Sequence, residues 1–450
     1  MPALDDFATW EPLLKLMRAA LDAPEGRAAG SIAPGVWSVP VKRPPMTPGR
    51  AMRIEDMQEE RDAVRRVQEA LGGRDEISFI ADFEASGRIV LRLIHQTTTA
   101  RPGMGTNGPG SVVLVDGAVP EPWRRLPEPA PDAAPSPTAD AALLERTLRE
   151  RLPDAIGATD EEIAAAEARL GIALPEELKA IYRVTRSRWS DFDGDEAMNS
   201  HASAVRAKLY PLDSLYIADA ASRPAFSPPL WEYAATEAVV TRPDSAVQGL
   251  VGSPGWIAFG EDRGGDVYAI DLTPGPAGYT GQVIFLSRSA RIGAEPVADS
   301  LTDMIVHGRE TWGRTPDATP EVAYVNVGNR SSVKAAAHPD LEVLHLGVWE
   351  DEPHSLAPVF GCPKLRTLAA YPDTLADPLE ITRLAGLEYL GLSAAYWRVL
   401  LDADAVPRSL LAAGFEGHDD DPLERVENAN RLLALFGRPQ ITQTVVEGVL

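Results

Sequence analysis

Five segments in the last third of the chain share one spacing of apolar residues, at the first, fourth and sixth positions. They are Val322-x-x-Val325-x-Val327, Leu341-x-x-Leu344-x-Leu346, Leu365-x-x-Leu368-x-Ala370, Leu387-x-x-Leu390-x-Leu392 and Leu410-x-x-Ala413-x-Phe415. Their first residues lie 19, 24, 22 and 23 residues apart. Apolar residues two apart favour a strand. A fixed period of this length predicts stacked units that bury together a face that none could bury alone.

This spacing resembles that of leucine-rich repeats, which have periods of about 20–29 residues and one Leu-x-x-Leu-x-Leu strand in each. The resemblance implies a short, irregular array in residues 320–450 whose apolar residues point inward and whose strands line one concave wall. A final helix from Leu423 to Phe436 is expected to cap the array. In such arrays the concave surface commonly recognises another macromolecule.

Proline-rich stretches divide the rest of the chain. Seven prolines fall between Pro120 and Thr138, a composition typical of a semi-rigid extended linker. A shorter stretch runs from Gly313 to Pro320. These stretches predict an α+β multidomain protein with an N-terminal α+β domain (1–119), a linker (120–138), a middle α+β domain (139–312) and the repeat domain (320–450).

The first domain begins with an amphipathic helical pattern formed by Trp10, Leu13, Leu14, Met17 and Leu21. A second helix is expected from about residue 54 to 71. Strands at 77–83 and 88–94, separated by Ala-Ser-Gly, predict a hairpin. The helix followed by a hairpin resembles, in outline, the YezG-type immunity proteins.

The middle domain opens with a capping box, Thr159-Asp-Glu-Glu162, in which the side chains of Thr159 and Glu162 can satisfy each other's backbone N–H groups. Gly171 can end that helix in the left-handed conformation. A second helix starts at Leu174-Pro175. Strands follow at 256–260, 266–272 and 282–286, and a closing helix is expected at about 300–311.

Together these fragments resemble the SUKH superfamily, which includes the yeast Smi and Knr regulators and bacterial immunity proteins. The matching pieces are Ile163–Gly171, Leu174-Pro175-Glu176-Glu177, Trp256-Ile-Ala-Phe-Gly260, Gly264-Gly-Asp266 and Ile270-Asp-Leu272. The resemblance implies a non-enzymatic protein that binds a toxin domain, often a nuclease. After the second helix, where many members have an Asn-Gly turn, this chain reads Thr185-Arg-Ser-Arg-Trp189, so we expect a rebuilt loop there.

Net charge narrows the choice of partner. The chain has 66 acidic and 43 basic residues, a formal charge of −23, and no compact basic patch, which argues against binding nucleic acid. Over the predicted divisions, the charge is −4 in residues 1–154, −10 in 155–312 and −9 in 320–450. The acidic amino terminus and the lack of a long apolar run predict a cytoplasmic protein without a membrane span.

The acidic loop after the rebuilt turn is the best candidate for contact with a partner. We predict charge-complementary contacts from Asp191, Asp193, Asp195 and Glu196, with Trp189 as an aromatic anchor. Glu350, Asp351 and Glu352 form a second candidate acidic surface. Alternatively, either run is simply a solvated face. A calcium loop is disfavoured, because the EF-hand positions that need Gly and Glu hold Glu196 and Ala202.

Other chemistry receives little support from the sequence. His345 and His354 near the second acidic run match no metal-binding spacing, so we expect no metal and no cofactor. Gly260 to Gly265 lacks the context of a phosphate loop and favours a hairpin turn. Cys362, the one cysteine, excludes an internal disulfide and is expected to be buried. A catalytic triad is recognised by geometry, and there is no Gly-x-Ser-x-Gly motif.

Three functions are consistent with these patterns. The first is an immunity protein or antitoxin that binds a basic toxin, and we predict this one, with no enzymatic activity. The second is an interaction scaffold that uses the repeats and has no toxin partner. The third is a hydrolase built on Asp193 and Asp195. The oligomeric state does not follow from the sequence.

Overall fold

The structure is a computed structural model that describes residues 2–42, 57–95, 97, 99–102, 109–223, 231–239, 244–287, 292–309, 321–417 and 421–450. The chain forms two compact units. The first, called the ladder unit below, comprises Met1–Ala118, Pro228–Thr236 and Val322–Leu450. The second, called the middle unit, comprises Val119–Ser227 and Glu237–Glu321.

Both units contain helices and strands. The helices are α1 (Phe7–Ala20), α2 (Gln58–Ala70), α3 (Glu121–Arg124), α4 (Ala141–Arg151), α5 (Asp160–Leu170), α6 (Glu176–Val184), α7 (Gly194–Val205), α8 (Trp231–Ala235), α9 (Val333–Ala336), α10 (Ala394–Asp402) and α11 (Pro422–Leu435). The strands are β1 (Gly26–Ala33), β2 (Val36–Ser38), β3 (Ile77–Phe83), β4 (Arg88–His95), β5 (Ala100–Pro102), β6 (Pro109–Val113), β7 (Lys208–Leu209), β8 (Tyr216–Ile217), β9 (Trp256–Glu261), β10 (Val267–Asp271), β11 (Gln282–Leu286), β12 (Glu295–Ala298), β13 (Val322–Val325), β14 (Val343–Leu346), β15 (Thr367–Ala370), β16 (Tyr389–Leu392), β17 (Ala412–Phe415) and β18 (Thr442–Val449). The α+β class expected from the sequence is confirmed.

The N-terminal part of the ladder unit contains the predicted helices and hairpin. α1 and α2 pack on a sheet of order β18-β4-β3-β1-β2, and β3 and β4 are antiparallel neighbours as expected. Trp10, Leu13, Leu14 and Met17 are fully buried in this core. Residues 54–56 of the predicted second helix lie outside the described residues, and the helix begins at Gln58.

All five strands expected from the repeat form one parallel ladder, in the order β13-β14-β15-β16-β17. The frame of the first repeat differs from our prediction. Val325 pairs with Leu346, so it occupies the sixth template position rather than the fourth. Val327, which we expected to point inward, is 41% exposed. The spacing of Val322, Val325 and Val327 matches the template only in the predicted frame, and the pairing with β14 shows that Val325 alone of the three occupies an apolar template position.

The two ends of the chain share both sheets of the ladder unit. β18 near the C-terminus pairs with β4 over eight residues, and β6 pairs antiparallel with β17 at one edge of the ladder. The predicted separate domains 1–119 and 320–450 are therefore joined in the structure, because backbone pairing connects segments more than 300 residues apart. α11, at the site of the predicted capping helix, adds Val426, Ala429, Leu432 and Leu433 to the ladder core.

The middle unit has its own sheet of order β12-β11-β10-β9-β7, with β8 also paired to β9. α4, α5 and α6 contribute apolar residues to its core, including Leu148, Ile163 and Ile181. Both hydrogen bonds of the predicted capping box are present, and Gly171 ends α5 at a φ of +73°. At the predicted closing helix, residues 303–307 form a π-helical turn.

The proline-rich segment predicted as a linker is held to the middle unit by hydrogen bonds. The side chain of Gln248 accepts from the backbone N–H of Glu128 at 2.7 Å and donates to its carbonyl at 2.9 Å. The N–H of Thr280 donates to the Ala134 carbonyl at 3.0 Å. Because its backbone bonds to neighbouring loops, this segment is part of the unit rather than a free spacer.

Candidate partner-binding surface

The loop after α6 departs from regular structure where the sequence departs from the family pattern. Ser187 has a positive φ of 53°, a conformation uncommon for a residue with a side chain. A single 3-10 turn, Trp189–Asp191, follows. The Trp189 side chain is left 66% exposed, although an indole ring gains free energy when it is buried. Such an exposed aromatic residue is typical of a contact site.

The Asp191 carboxylate forms hydrogen bonds within this loop. Its two carboxylate oxygens accept hydrogen bonds from Nε and Nη2 of Arg186, each at 2.9 Å, and its side chain is only 8% exposed. The bonds from Arg186 lower the pKa of Asp191. We predicted a direct contact for Asp191, but the structure gives its carboxylate an internal partner.

The other three predicted acids face solvent at the start of α7. Asp193 precedes the helix without a side-chain capping bond, and Asp195 and Glu196 lie in its first turn. All three are exposed. Negative charge is favourable at this end of a helix, so the acids can remain there without a basic partner. Trp189, Asp193, Asp195 and Glu196 thus form one short exposed stretch, which we call the acidic loop.

Glu162 connects the acidic loop to the rigid start of α5. One of its carboxylate oxygens accepts from the Thr159 N–H at 2.9 Å, completing the capping box, and the other accepts from Nη2 of Arg188 at 2.9 Å. Arg186 also lies within 3.9 Å of Glu162. Arg186 and Arg188 are therefore both paired with other acids, so neither offsets the charge of Asp193, Asp195 and Glu196.

The second predicted acidic run lies in the ladder unit, in the loop that follows β14. Glu350, Asp351 and Glu352 are exposed, and the Glu352 carbonyl accepts from the indole N–H of Trp349 at 3.2 Å. The Trp349 ring packs on the His354 ring with centroids 4.5 Å apart. These acids therefore extend from a loop that is held by aromatic contacts.

The two histidines near this run pack on different aromatic rings. His345 stacks on Tyr324 at 5.0 Å, whereas His354 packs on Trp349. Burial lowers the pKa of both, that of His345 to about 4. Within the part of the chain that the structure describes, no group of three or more His, Cys, Asp or Glu residues could hold a metal ion.

Asp271 and Trp256, two of the residues that carry the SUKH resemblance, are buried and hydrogen-bonded to each other. The Asp271 carboxylate accepts from Trp256 Nε1 at 2.9 Å, Gln282 Nε2 at 2.9 Å, and the Thr273 N–H at 2.8 Å. Asp271 and Trp256 have no exposed surface, and desolvation raises the pKa of Asp271. Gly264 and Gly265 lie in the turn between β9 and β10, as predicted, with Gly265 at a φ of +82°. The motif thus builds the domain and leaves the loops free for contacts.

A groove of about 720 Å³ runs between the proline-rich segment and the loops around Gln248 and Tyr279. Much of its lining belongs to proline and glycine, including Pro129, Pro131 and Gly275.

The predicted buried role of Cys362 holds in part, because this side chain is half-buried against the ladder core.

Sequence reasoning missed a buried ion pair on the ladder. Arg366 Nη2 lies 3.1 Å from the Glu342 carboxylate, and their side chains are 6% and 7% exposed. Each occupies the second template position of its repeat, before β14 and β15 respectively. Opposite charges at equivalent positions of neighbouring repeats were the available signal. The sequence contains a third acidic run, His418-Asp-Asp-Asp421, which is also a candidate contact surface; it lies outside the described residues except for Asp421, whose side chain caps α11.

Among the described helices, none is long and apolar enough to cross a membrane.

Residues 157–307 match the family model described as SMI1 / KNR4 family (SUKH-1). A stretch of 46 residues is 52% identical to the "Cell wall biosynthesis/cell cycle regulator smi1" of Schizosaccharomyces pombe, covering 10% of this chain and 9% of that protein. The same length is 48% identical to the "KNR4/SMI1 homolog" of Yarrowia lipolytica, covering 10% and 6%. The chain thus matches less than a tenth of the length of these relatives. The similarity to the SMI1/KNR4 family (SUKH-1) is therefore limited to residues 157–307, about a third of the chain.

Proposed function

We propose that this protein is a non-enzymatic immunity protein that binds and neutralises a basic toxin, a nuclease or another nucleic-acid-modifying protein, through the acidic loop. The observation that carries the proposal is the exposed Trp189 beside three exposed acids that have no ion-pair partner within the described part of the chain, in the region that matches the SUKH-1 family. Aromatic side chains anchor protein interfaces, and surrounding charges set specificity and the association rate.

Charge counted over the structural units supports a basic partner, and its density favours the middle unit. The middle unit has 31 acidic and 19 basic residues, a net charge of −12, and the ladder unit has 35 and 24, a net charge of −11. The middle unit is the shorter of the two, so its charge density is higher. We therefore place the main contact on the acidic loop, and a secondary contact at Glu350, Asp351 and Glu352.

Co-expression with the toxin encoded beside this gene tests the function directly. We expect the full chain to restore growth and to form a stable complex with the toxin domain. Trp189→Ala should weaken the complex at least tenfold, because a central aromatic anchor contributes a large share of binding free energy. Failure of the full chain to bind any toxin encoded next to it would contradict the proposal.

Charge reversal tests the role of the acidic loop. Asp193→Lys combined with Asp195→Lys should slow association about tenfold at low salt and weaken its salt dependence, because steering depends on these charges. Asp160→Lys combined with Glu161→Lys is a matched control, since these exposed acids also lie at a helix start in the same unit. Equal slowing by both pairs would mean that overall charge, and not this loop, attracts the toxin.

A cytosolic regulator or scaffold is the second candidate. It is favoured by the similarity to the Schizosaccharomyces pombe protein, which is named as a cell wall biosynthesis and cell cycle regulator. It is also favoured by the parallel ladder, which we propose is a short leucine-rich-repeat-like array. Affinity purification of the full chain separates the two functions. A stable cellular complex that survives the Asp193→Lys, Asp195→Lys change, together with no toxin binding, would favour the regulator. The predicted cytoplasmic location and the YezG resemblance remain predictions.

A further inference from the structure

One face of the parallel ladder packs on the core, and the opposite face is shaped to receive another segment. Its outward positions on β15, β16 and β17 are Thr367, Ala369, Tyr389, Gly391, Ala412 and Gly414. All of these residues except Tyr389 are small, and Thr367 and Tyr389 each carry a hydroxyl group. A Cβ atom at Gly414 would lie 2.0 Å from the Tyr389 hydroxyl oxygen. Glycine at position 414 therefore lets the Tyr389 ring lie flat across the face.

Helix α8 occupies this face, although its neighbours in the sequence belong to the middle unit. Trp231 is 7% exposed and Ala235 is 1% exposed. They form a small apolar cluster with Tyr389 and Ala412 that is separate from the main ladder core. The ladder core is thus complete on its other face, and α8 adds a layer to a surface that the strands have already built.

The ladder also binds the C-terminal end of α8 through one oxygen. The Ala235 carbonyl accepts from Arg366 Nη1 at 2.9 Å and from Thr367 Oγ1 at 2.6 Å. Arg366 is fixed by the buried Glu342 carboxylate, with Nε and Nη2 at 3.2 and 3.1 Å from the same oxygen. The two donors therefore converge on a carbonyl at the end of a helix, the group that such an end leaves unsatisfied.

The ladder supplies the contacts that hold the described part of α8. The carbonyl at its C-terminal end is bound by two ladder side chains, and Trp231 and Ala235 pack on ladder residues. The anchors on the ladder are fixed by strand pairing and by the buried ion pair. The face also extends beyond α8, since Tyr324 on β13 is 52% exposed.

We propose that this ladder face is a recognition site for a short helical segment with an aromatic residue four positions before a small residue, whose carbonyl accepts from Arg366 and Thr367. Residues 231–236 occupy the site in cis, and a partner segment of the same chemistry binds when they are displaced. The proposal is independent of toxin binding by the acidic loop, because it concerns a different surface and a different kind of ligand.

Binding of a synthetic peptide to the full chain tests this proposal. A fluorescently labelled peptide of residues 228–238 is titrated against the wild-type chain and against Trp231→Ala, which loses the internal anchor. We expect the variant to bind the peptide at least tenfold more tightly than wild type does, because its site is vacated more often. A peptide carrying alanine in place of Trp231 should lose at least tenfold in affinity.

A change on the receptor side distinguishes this site from non-specific binding. Thr367→Val, added to Trp231→Ala, removes one donor to the peptide carbonyl and should weaken binding severalfold. Tyr324→Ala, on the same face but outside the α8 contacts, should leave peptide affinity within twofold. Ala235→Arg is the second displacing variant if circular dichroism shows Trp231→Ala to be unfolded. A folded displacing variant that binds the peptide no better than wild type would overturn the proposal.

Discussion

Two regions of the middle unit each contain a tryptophan and, later in the sequence, an aspartate. In one region the two side chains are buried and hydrogen-bonded to each other, and in the other they are not. Trp256 and Asp271 are fully buried and bonded to each other at 2.9 Å. Trp189 is 66% exposed, and the nearby Asp191 bonds to Arg186 instead. The first pair holds the sheet together, whereas the second shapes a loop that leaves its tryptophan in solvent.

The difference follows from the donors available to each carboxylate. Asp271 accepts from neutral groups inside the sheet, so its charge is held without a cation and burial raises its pKa. Asp191 accepts from a guanidinium at the surface, which lowers its pKa. In this domain, the residues that resemble the family build the fold, and the residues that depart from it form the candidate contact surface.

Asp271→Ala should have the largest effect on stability. It removes the acceptor of the Trp256 indole N–H, of the Thr273 N–H and of one N–H of the Gln282 amide in a buried site, and each unpaired buried donor costs about 1–3 kcal/mol. We expect unfolding free energy to fall by about 3–5 kcal/mol, measured by urea denaturation. Asp193→Ala, at an exposed aspartate of the same unit, should change it by less than about 0.5 kcal/mol. Similar losses in the two variants would remove the contrast.

The Arg186–Asp191 pair should respond to acid in the opposite sense from Asp271. Because the pKa of Asp191 is lowered in the fold, its contribution is present above its unfolded value near 3.9 and is lost as pH falls through the folded value. The raised pKa of Asp271 means that protonation is favoured in the fold, so its contribution grows as pH falls. A double-mutant cycle of Arg186→Ala and Asp191→Ala should show favourable coupling at pH 7 that disappears at low pH. Coupling that stays constant as pH falls would contradict the pairing.

Local patterns predicted much of the structure, because their causes lie within a few residues. The capping box needs only Thr159 and Glu162, and the β9–β10 turn needs only its glycines. The repeat positions placed five strands because each repeat carries its own apolar spacing. The exposed acids of α7 were also predicted, since three adjacent charges at a helix start are difficult to bury.

Contacts between distant residues were not predictable in the same way. No local signal connects β18 to β4, or α8 to the ladder, since the partners lie more than 100 residues apart. The first repeat was placed two residues too late in the sequence, because the spacing of its three valines matches the repeat template by itself. Asp191 was taken for a contact residue, because an acid in an acidic run gives no sign that an arginine five residues earlier will bind it.

Thr159→Ala should have an intermediate effect and shows how firmly the acidic loop is held. Loss of the capping hydroxyl should lower the unfolding free energy by about 1 kcal/mol, measured by urea denaturation. Glu162→Ala keeps that bond but removes the other bond of the capping box, from the Thr159 N–H, and also the bond to Arg188 in the loop. Amide hydrogen exchange at 186–192 should therefore accelerate more in Glu162→Ala than in Thr159→Ala. Equal acceleration would mean that Glu162 does not position the loop.

Trp189→Ala should have the smallest effect on stability of all these changes. Its side chain is 66% exposed, and the 3-10 turn that carries it is stabilised by the Arg186–Asp191 bonds, so truncation removes little buried surface. We expect a change in unfolding free energy of less than about 0.5 kcal/mol in urea denaturation, against about 3–5 kcal/mol for Trp256→Ala, whose ring is fully buried. A loss above about 1 kcal/mol for Trp189→Ala would mean that the ring packs on the domain in solution. A stable variant that nevertheless loses its partner would assign the exposed indole to binding alone.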